Sequence, residues 1–179
     1  MAQPKILTMS GSLRKGSYNR MLLAQALEAF GPADVTVANL HLPLYDGDLE
    51  EAHGVPAEVT ELAEQIKAAD GILISSPEYN KGITGAMKNA LDWVSRVPGS
   101  AFKGKPTVVM SANAGRTGGE TGQYMLLSCL VPLQAHVLPG PTLCVAGAGN
   151  EFGEDGSLPN EQYQKVLKAK MEALREAIG

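Results

Sequence analysis

Hydrophobic positions along the 179-residue chain follow two alternating rhythms. Unbroken runs of branched and aliphatic residues, Ile6–Met9, Val35–Val37, Ile72–Ile74 and Thr107–Met110, read as strands. Between them apolar residues recur every three or four positions, the spacing that lines one face of a helix. Leu23, Ala26, Leu27 and Phe30 mark the first helix, which begins near Asn19 and stops at Gly31-Pro32. Val59, Leu62, Ala63 and Ile66 mark another, from about Pro56, and Met87, Leu91 and Val94 a third, from about Thr84. A fourth follows the Thr107–Met110 strand and its loop, and Val166, Leu167, Met171, Leu174 and Ile178 line the last. Ala135–Leu138 and Thr142–Val145 are parted by Pro139-Gly140-Pro141, so they predict a fifth strand broken in two.

Ile72-Leu73-Ile74 is uninterrupted by polar residues, which predicts a strand covered on both faces, as in parallel sheets. Five strands interleaved with five helices therefore predict a doubly wound parallel α/β sheet, one domain spanning residues 1–179. Leu42 to Asp46 reads as irregular, and Gly147–Gly156 as a loose surface excursion. In such folds ligands bind beyond the carboxyl ends of the strands. The loops there are Ser10–Tyr18, Ser75–Ile83 and Ser111–Gly119, all rich in Gly, Ser or Asn.

The first of these loops has the composition of a phosphate cradle. A helix N-terminus offers unpaired N–H groups and a partial positive charge, glycines admit the ligand closely, and Ser or Arg side chains add direct bonds. Gly11 and Gly16 stand at triphosphate-loop spacing, but Ser17 occupies the position where that motif needs its lysine. A dinucleotide fingerprint also fails, because Gly11-Ser12-Leu13 lacks the closely spaced second glycine and Gly147-Ala148-Gly149 precedes no helical pattern. The expectation is a terminal monophosphate, with Ser12, Arg14, Ser17 and Asn19 as donors; Asn19 reads equally as a helix N-cap and Arg14 as a solvated side chain. In the second loop, backbone groups stiffened by Pro77 match the edge of a flat heterocycle and Tyr79 walls its face, or the segment is an ordinary turn with a packed tyrosine.

Composition narrows the partners. With 44% hydrophobic residues and a net charge of −4, the chain can build one core and carries no basic footprint for nucleic acid. Its apolar stretches fall far short of the roughly 20 residues that cross a bilayer, and Met1 to Lys5 lead straight into a strand. The expectation is a soluble cytoplasmic protein with no membrane insertion. Cys129 and Cys144 read as buried reduced thiols, and His41, His53 and His136 lack metal-ligand spacing, so no metal site is expected.

Gly11 to Asn19, Pro77-Glu78-Tyr79-Asn80 and Met87-Lys88-Asn89-Ala90-Leu91-Asp92-Trp93 together resemble the NAD(P)H-dependent FMN reductase family, especially its quinone and chromate reductase branch. Pro43-Leu44-Tyr45-Asp46 and Gly118-Gly119 extend the likeness, which thins after about Val131. The resemblance implies a flavodoxin-like sheet of order 2-1-3-4-5, one FMN per subunit, and two-electron reduction of quinones, azo compounds, flavins or metal oxyanions such as chromate by NADPH or NADH. Position by position it implies that Ser12, Arg14, Ser17 and Asn19 hold the FMN phosphate with Tyr18 near the ribityl chain, and that Pro77, Glu78, Tyr79 and Asn80 grip the ring. Asn113 and Gly115 are implied ring or ribityl contacts, although this family usually has a serine-rich third loop, and Arg116 stands where a neutral residue is common. Because the flavin carries the hydride, no catalytic acid or base is expected and ping-pong kinetics are. The resemblance also implies a homodimer or homotetramer. Met87, Leu91, Trp93 and Val94 exceed one buried stripe, so some, with Tyr79 and Lys81, are expected to face a second subunit, or else the helix is simply amphipathic. Two rival readings share the fold: a flavodoxin-type electron carrier with protein partners, and a flavin-free module that binds phosphate ligands.

Overall fold

The structure, a computed structural model, describes residues 3–179. Strands β1 (Lys5–Ser10), β2 (Asp34–Val37), β3 (Gly71–Ser75), β6 (Pro106–Ala112) and β7 (His136–Val137) form one parallel sheet in the order β2-β1-β3-β6-β7. A two-residue strand, β8 (Cys144–Val145), pairs with the far end of β6, so β7 and β8 are the two halves of the broken fifth strand. The predicted 2-1-3-4-5 order is the observed one. Alternation along the strands divides the core: Leu7, Met9, Ile72, Ile74 and Val109 face one layer, Ile6, Leu73, Val108 and Met110 the other. Helices α3 (Ala57–Ala68), α4 (Gly85–Arg96) and α5 (Glu120–Leu130) cover the first face, and α1 (Tyr18–Phe30) and α7 (Glu161–Ile178) the second.

Five details differ from the expectations. The segment read as a loop after β3 contains a hairpin, β4 (Glu78–Tyr79) and β5 (Gly82–Ile83), whose turn residues Asn80 and Lys81 both have positive φ, +51° and +66°. A short helix, α2 (Gly47–His53), is capped by Asp46 and closed by Gly54; it buries no residue and so left no periodic apolar signal. Residues 147–156 are not a loose excursion, because α6 (Ala148–Glu151) buries Ala148 and the chain then buries Phe152. On α4, Met87, Leu91, Trp93 and Val94 are all buried within this chain, the Trp93 indole N–H donating to the Pro43 carbonyl at 2.8 Å. Those four side chains leave nothing for a neighbour. Cys129 and Cys144 are both free and half-buried rather than buried.

Candidate functional site

Three crossover turns meet above the carboxyl edge of the sheet. The β1 turn and the β3 turn are joined directly: Gly11 N–H donates to the Ser75 carbonyl at 2.9 Å, and the Thr84 hydroxyl donates to the Gly11 carbonyl at 2.7 Å. A Cβ on Gly11 would lie 2.1 Å from the Ser76 Oγ and 3.0 Å from its Cα, so only glycine allows this approach. Thr84 also caps α4, accepting from Met87 N–H. The bond from Thr84 to Gly11 crosses 73 positions and left no local signal in the sequence.

Around the first turn, the backbone N–H groups of Leu13, Arg14, Lys15, Gly16, Ser17 and Tyr18 find no acceptor among the described residues. Successive unpaired donors at a helix N-terminus form an anion nest. Ser17 is buried and is the N-cap of α1, its Oγ accepting from Asn19 N–H at 3.2 Å and Arg20 N–H at 3.4 Å. Its hydroxyl proton stays free to donate outward. Ser12 is buried beside it, and Arg14 is exposed and makes no ion pair among the described residues.

Asn19 behaves differently from both of its expected roles. Ser17, not Asn19, is the cap. The Asn19 side chain is buried, its Nδ2 donating to the Ala112 carbonyl at 2.8 Å and its Oδ1 accepting from Ala112 N–H at 3.0 Å and the Ser75 hydroxyl at 2.9 Å. One amide thus pins α1 to the ends of β3 and β6. Tyr18 lies at the same helix start, its ring stacked on Phe152 with centroids 5.7 Å apart.

The second turn is fastened on the other side. Pro77 is buried, Tyr79 is half-exposed and Asn80 is exposed. The Glu78 carboxylate does not point along these residues into a cleft. It accepts from Gly122 N–H at 3.0 Å, in the first turn of α5, and lies 3.5 Å from Lys81 Nζ. Helix α5 has Gly119 at its cap position and no capping side chain of its own, so the Glu78 carboxylate supplies the missing acceptor and the favourable negative charge. The Glu78 carbonyl accepts from Asn113 Nδ2 at 3.0 Å, tying the second turn to the third.

In the third turn Gly118 (φ +62°) has no room for a side chain, since a Cβ there would lie 2.5 Å from the Cys144 backbone. Ser111 Oγ donates to the Gly118 carbonyl at 2.6 Å, and Gln123, buried, holds both Ser111 and the Leu143 carbonyl. Gly115 and Arg116 are exposed, and beside Gly115 there is open space. Burial pushes the nearby Cys144 thiol up from its ordinary range, which keeps it protonated. No three His, Cys, Asp or Glu side chains gather as metal ligands among the described residues.

A parallel sheet of this order, with an anion nest at β1 and two further turns at β3 and β6, defines the class of flavodoxin-like nucleotide-binding proteins. A model of the NADPH-dependent FMN reductase family matches residues 4–150, and the chain belongs to that family. It is 39% identical over 173 residues to an NAD(P)H-dependent FMN reductase of Pseudomonas aeruginosa, covering 96% of this chain and 93% of that one. It is 44% identical over 141 residues to a quinone reductase of Escherichia coli, 76% of this chain and 74% of that one. The solved structure of FerB, a flavoenzyme NAD(P)H:(acceptor) oxidoreductase from Paracoccus denitrificans, superposes with a TM-score of 0.86 at 29% identity, covering 98% and 97% of the two chains. The chain is accordingly an oxidoreductase that works with FMN and NAD(P)H. The residues present fit the cofactor: a cradle of six unpaired N–H donors meets a monophosphate, and adjoining turns offer space and backbone for a ring.

Proposed function

We propose that this protein reduces quinones by two electrons at the expense of NADH or NADPH, with azo compounds, free flavins and oxyanions such as chromate as further acceptors, and that it does so by a ping-pong sequence. The observation that carries the reading is the bond from Gly11 N–H to the Ser75 carbonyl, because it sets the anion nest of the first turn directly beside the second turn. Bound FMN would supply the chemistry, accepting hydride from the nicotinamide and passing two electrons onward.

The protein's part is to bind and orient. Ser12, Ser17 and Arg14 hold the phosphate together with the free N–H groups of residues 13–18, and Tyr18 flanks the ribityl chain. Pro77, Tyr79 and Asn80 lie along the ring, with Asn113 and Gly115 on its other margin. Glu78 and Asn19 act at one remove, since their side chains fix the turns to α5 and to β6. No acid or base is assigned, as hydride transfer requires none from the protein. Tyr79 is half-exposed, so the second turn stays open to solvent there, and two occupants that use that opening in turn give ping-pong behaviour.

The exposed apolar side chains of Tyr79, Tyr124 and Met125 support assembly as a homodimer or homotetramer. The two free thiols fit a reducing cytoplasm. The test is steady-state turnover of FMN-loaded protein with NADH and NADPH against quinones, azo dyes and chromate. Parallel double-reciprocal lines with a quinone are expected. Intersecting lines would remove the ping-pong sequence. Nucleotide oxidation that stays at the rate without acceptor would replace the reductase with a carrier of single electrons.

A further inference from the structure

A second cavity, of about 360 Å³, opens on the side of β1 away from the hairpin, between α1 and the end of β2. It exists because β2 is the uncovered edge of the sheet. On that face α1 and α7 bury residues of β1, β3 and β6, and all four β2 residues remain exposed. Its volume lies within the roughly 300–1,000 Å³ of small-molecule sites. Leu13, Leu23, Leu27 and Val37 make its walls apolar, and Val37 is 72% exposed.

The rim is polar, and Arg20 is its charged group. Arg20 and His41 line it, no Asp or Glu does, and Arg20 makes no ion pair among the described residues. The floor is shared with the phosphate turn: Ser10 Oγ donates to the Ser12 carbonyl at 3.1 Å and accepts from Ser12 N–H at 3.3 Å, and Arg20 Nε reaches the same carbonyl at 3.5 Å. We infer that this cavity binds an aromatic anion, an aryl carboxylate or sulfonate, with its ring between Leu23, Leu27 and Val37 and its acid group on the Arg20 guanidinium. Charge complementarity selects the anion, since an unpaired guanidinium beside an apolar slot favours an acid over the neutral molecule of the same shape. The site is separate from the nicotinamide and acceptor opening, which lies on the β3 side of β1.

Calorimetric titration of FMN-loaded protein with naphthalene-1-sulfonate, alongside its flavin absorbance, tests the inference. One saturable site is expected, with an unperturbed flavin spectrum, and with binding about tenfold or more tighter than that of neutral naphthalene-1-sulfonamide. Ala24→Phe, at an exposed helix position that lines the cavity, is expected to abolish the binding without lowering FMN content. Val37→Trp fills the same space from the strand and replaces it if the first variant folds poorly. Arg20→Gln is expected to remove the preference for the sulfonate. The inference is overturned if no heat is measured, if both filling variants bind as the parent does, or if the flavin spectrum shifts on titration, which would place the probe on the flavin.

Discussion

The turn after β1 and the turn after β3 lie side by side, and they treat their polar groups in opposite ways. In the first, six consecutive N–H groups and the Arg14 guanidinium make no bond among the described residues. In the second, the Glu78 carboxylate, the Glu78 carbonyl and the Ser75 hydroxyl are all engaged with α5, Asn113 and Asn19. Unmade bonds at a solvated turn are available to a ligand, whereas made and buried ones fix geometry. The first turn is thus prepared to bind and the second is prepared to stay still. Substitutions at the junction should damage both, those in the buried set should damage stability, and those in the free set should damage only binding.

The junction gives the largest expected effect. Gly11→Ala puts a methyl group 2.1 Å from Ser76 Oγ and 3.0 Å from its Cα, and the second contact is to backbone, which cannot rotate away. A cost of about 3 kcal/mol or more is expected, the upper end of overpacking, together with loss of bound flavin from the purified protein. Denaturant melts and visible absorbance check it. Removing the obstacle in Gly11→Ala/Ser76→Gly should recover part of both; a single variant as stable as the parent would show that the turns separate freely.

Asn19→Ala comes next. It strips the partners from a buried N–H and a buried carbonyl of Ala112 and from the Ser75 hydroxyl, at a cost of about 2–3 kcal/mol for the groups left unsatisfied. Arg14→Ala is the counterpart. FMN affinity should fall about tenfold as a charge-assisted bond is lost, with a melting temperature within about 1 °C of the parent because the side chain is exposed and unpaired. Fluorescence titration of FMN and thermal melts on the pair of variants sharpen the contrast. It breaks if Asn19→Ala alters affinity alone, or Arg14→Ala stability alone.

The same contrast explains what could be read from the sequence. The sheet and its broken fifth strand followed from uninterrupted aliphatic runs, and the anion nest from the density of Ser, Gly and Arg before a helix, because these are local signals; the strand order came from the family resemblance. The buried set is nonlocal. Asn19 meets Ala112 at a separation of 93 residues, Glu78 meets Gly122 at 44, and Trp93 meets Pro43 at 50, so a cap, a ring contact and an interface residue were natural but wrong or incomplete readings. The hairpin was hidden for a different reason. Two residues of positive φ usually announce themselves as Asn-Gly, and here the second position is Lys81.

Lys81 gives the smallest effect and the finest test of how firmly the second turn is held. At φ +66° a lysine carries about 1 kcal/mol of backbone strain. Its partner at 3.5 Å, the Glu78 carboxylate, returns little, since the lysine side chain is 72% exposed and such pairs contribute about 0–1 kcal/mol. Lys81→Gly relieves the strain and loses the pair, and against the added freedom of the unfolded chain the net is a stabilisation of about 0.5 kcal/mol. Lys81→Ala keeps the strain and loses the pair, so it should be neutral to slightly destabilising. Opposite signs in the two melts, with FMN affinity unchanged in both, would mean that the turn is held in place by its neighbours against its own preference. If the two variants melt alike, the ion pair decides, and raising the ionic strength should then erase the difference between each of them and the parent.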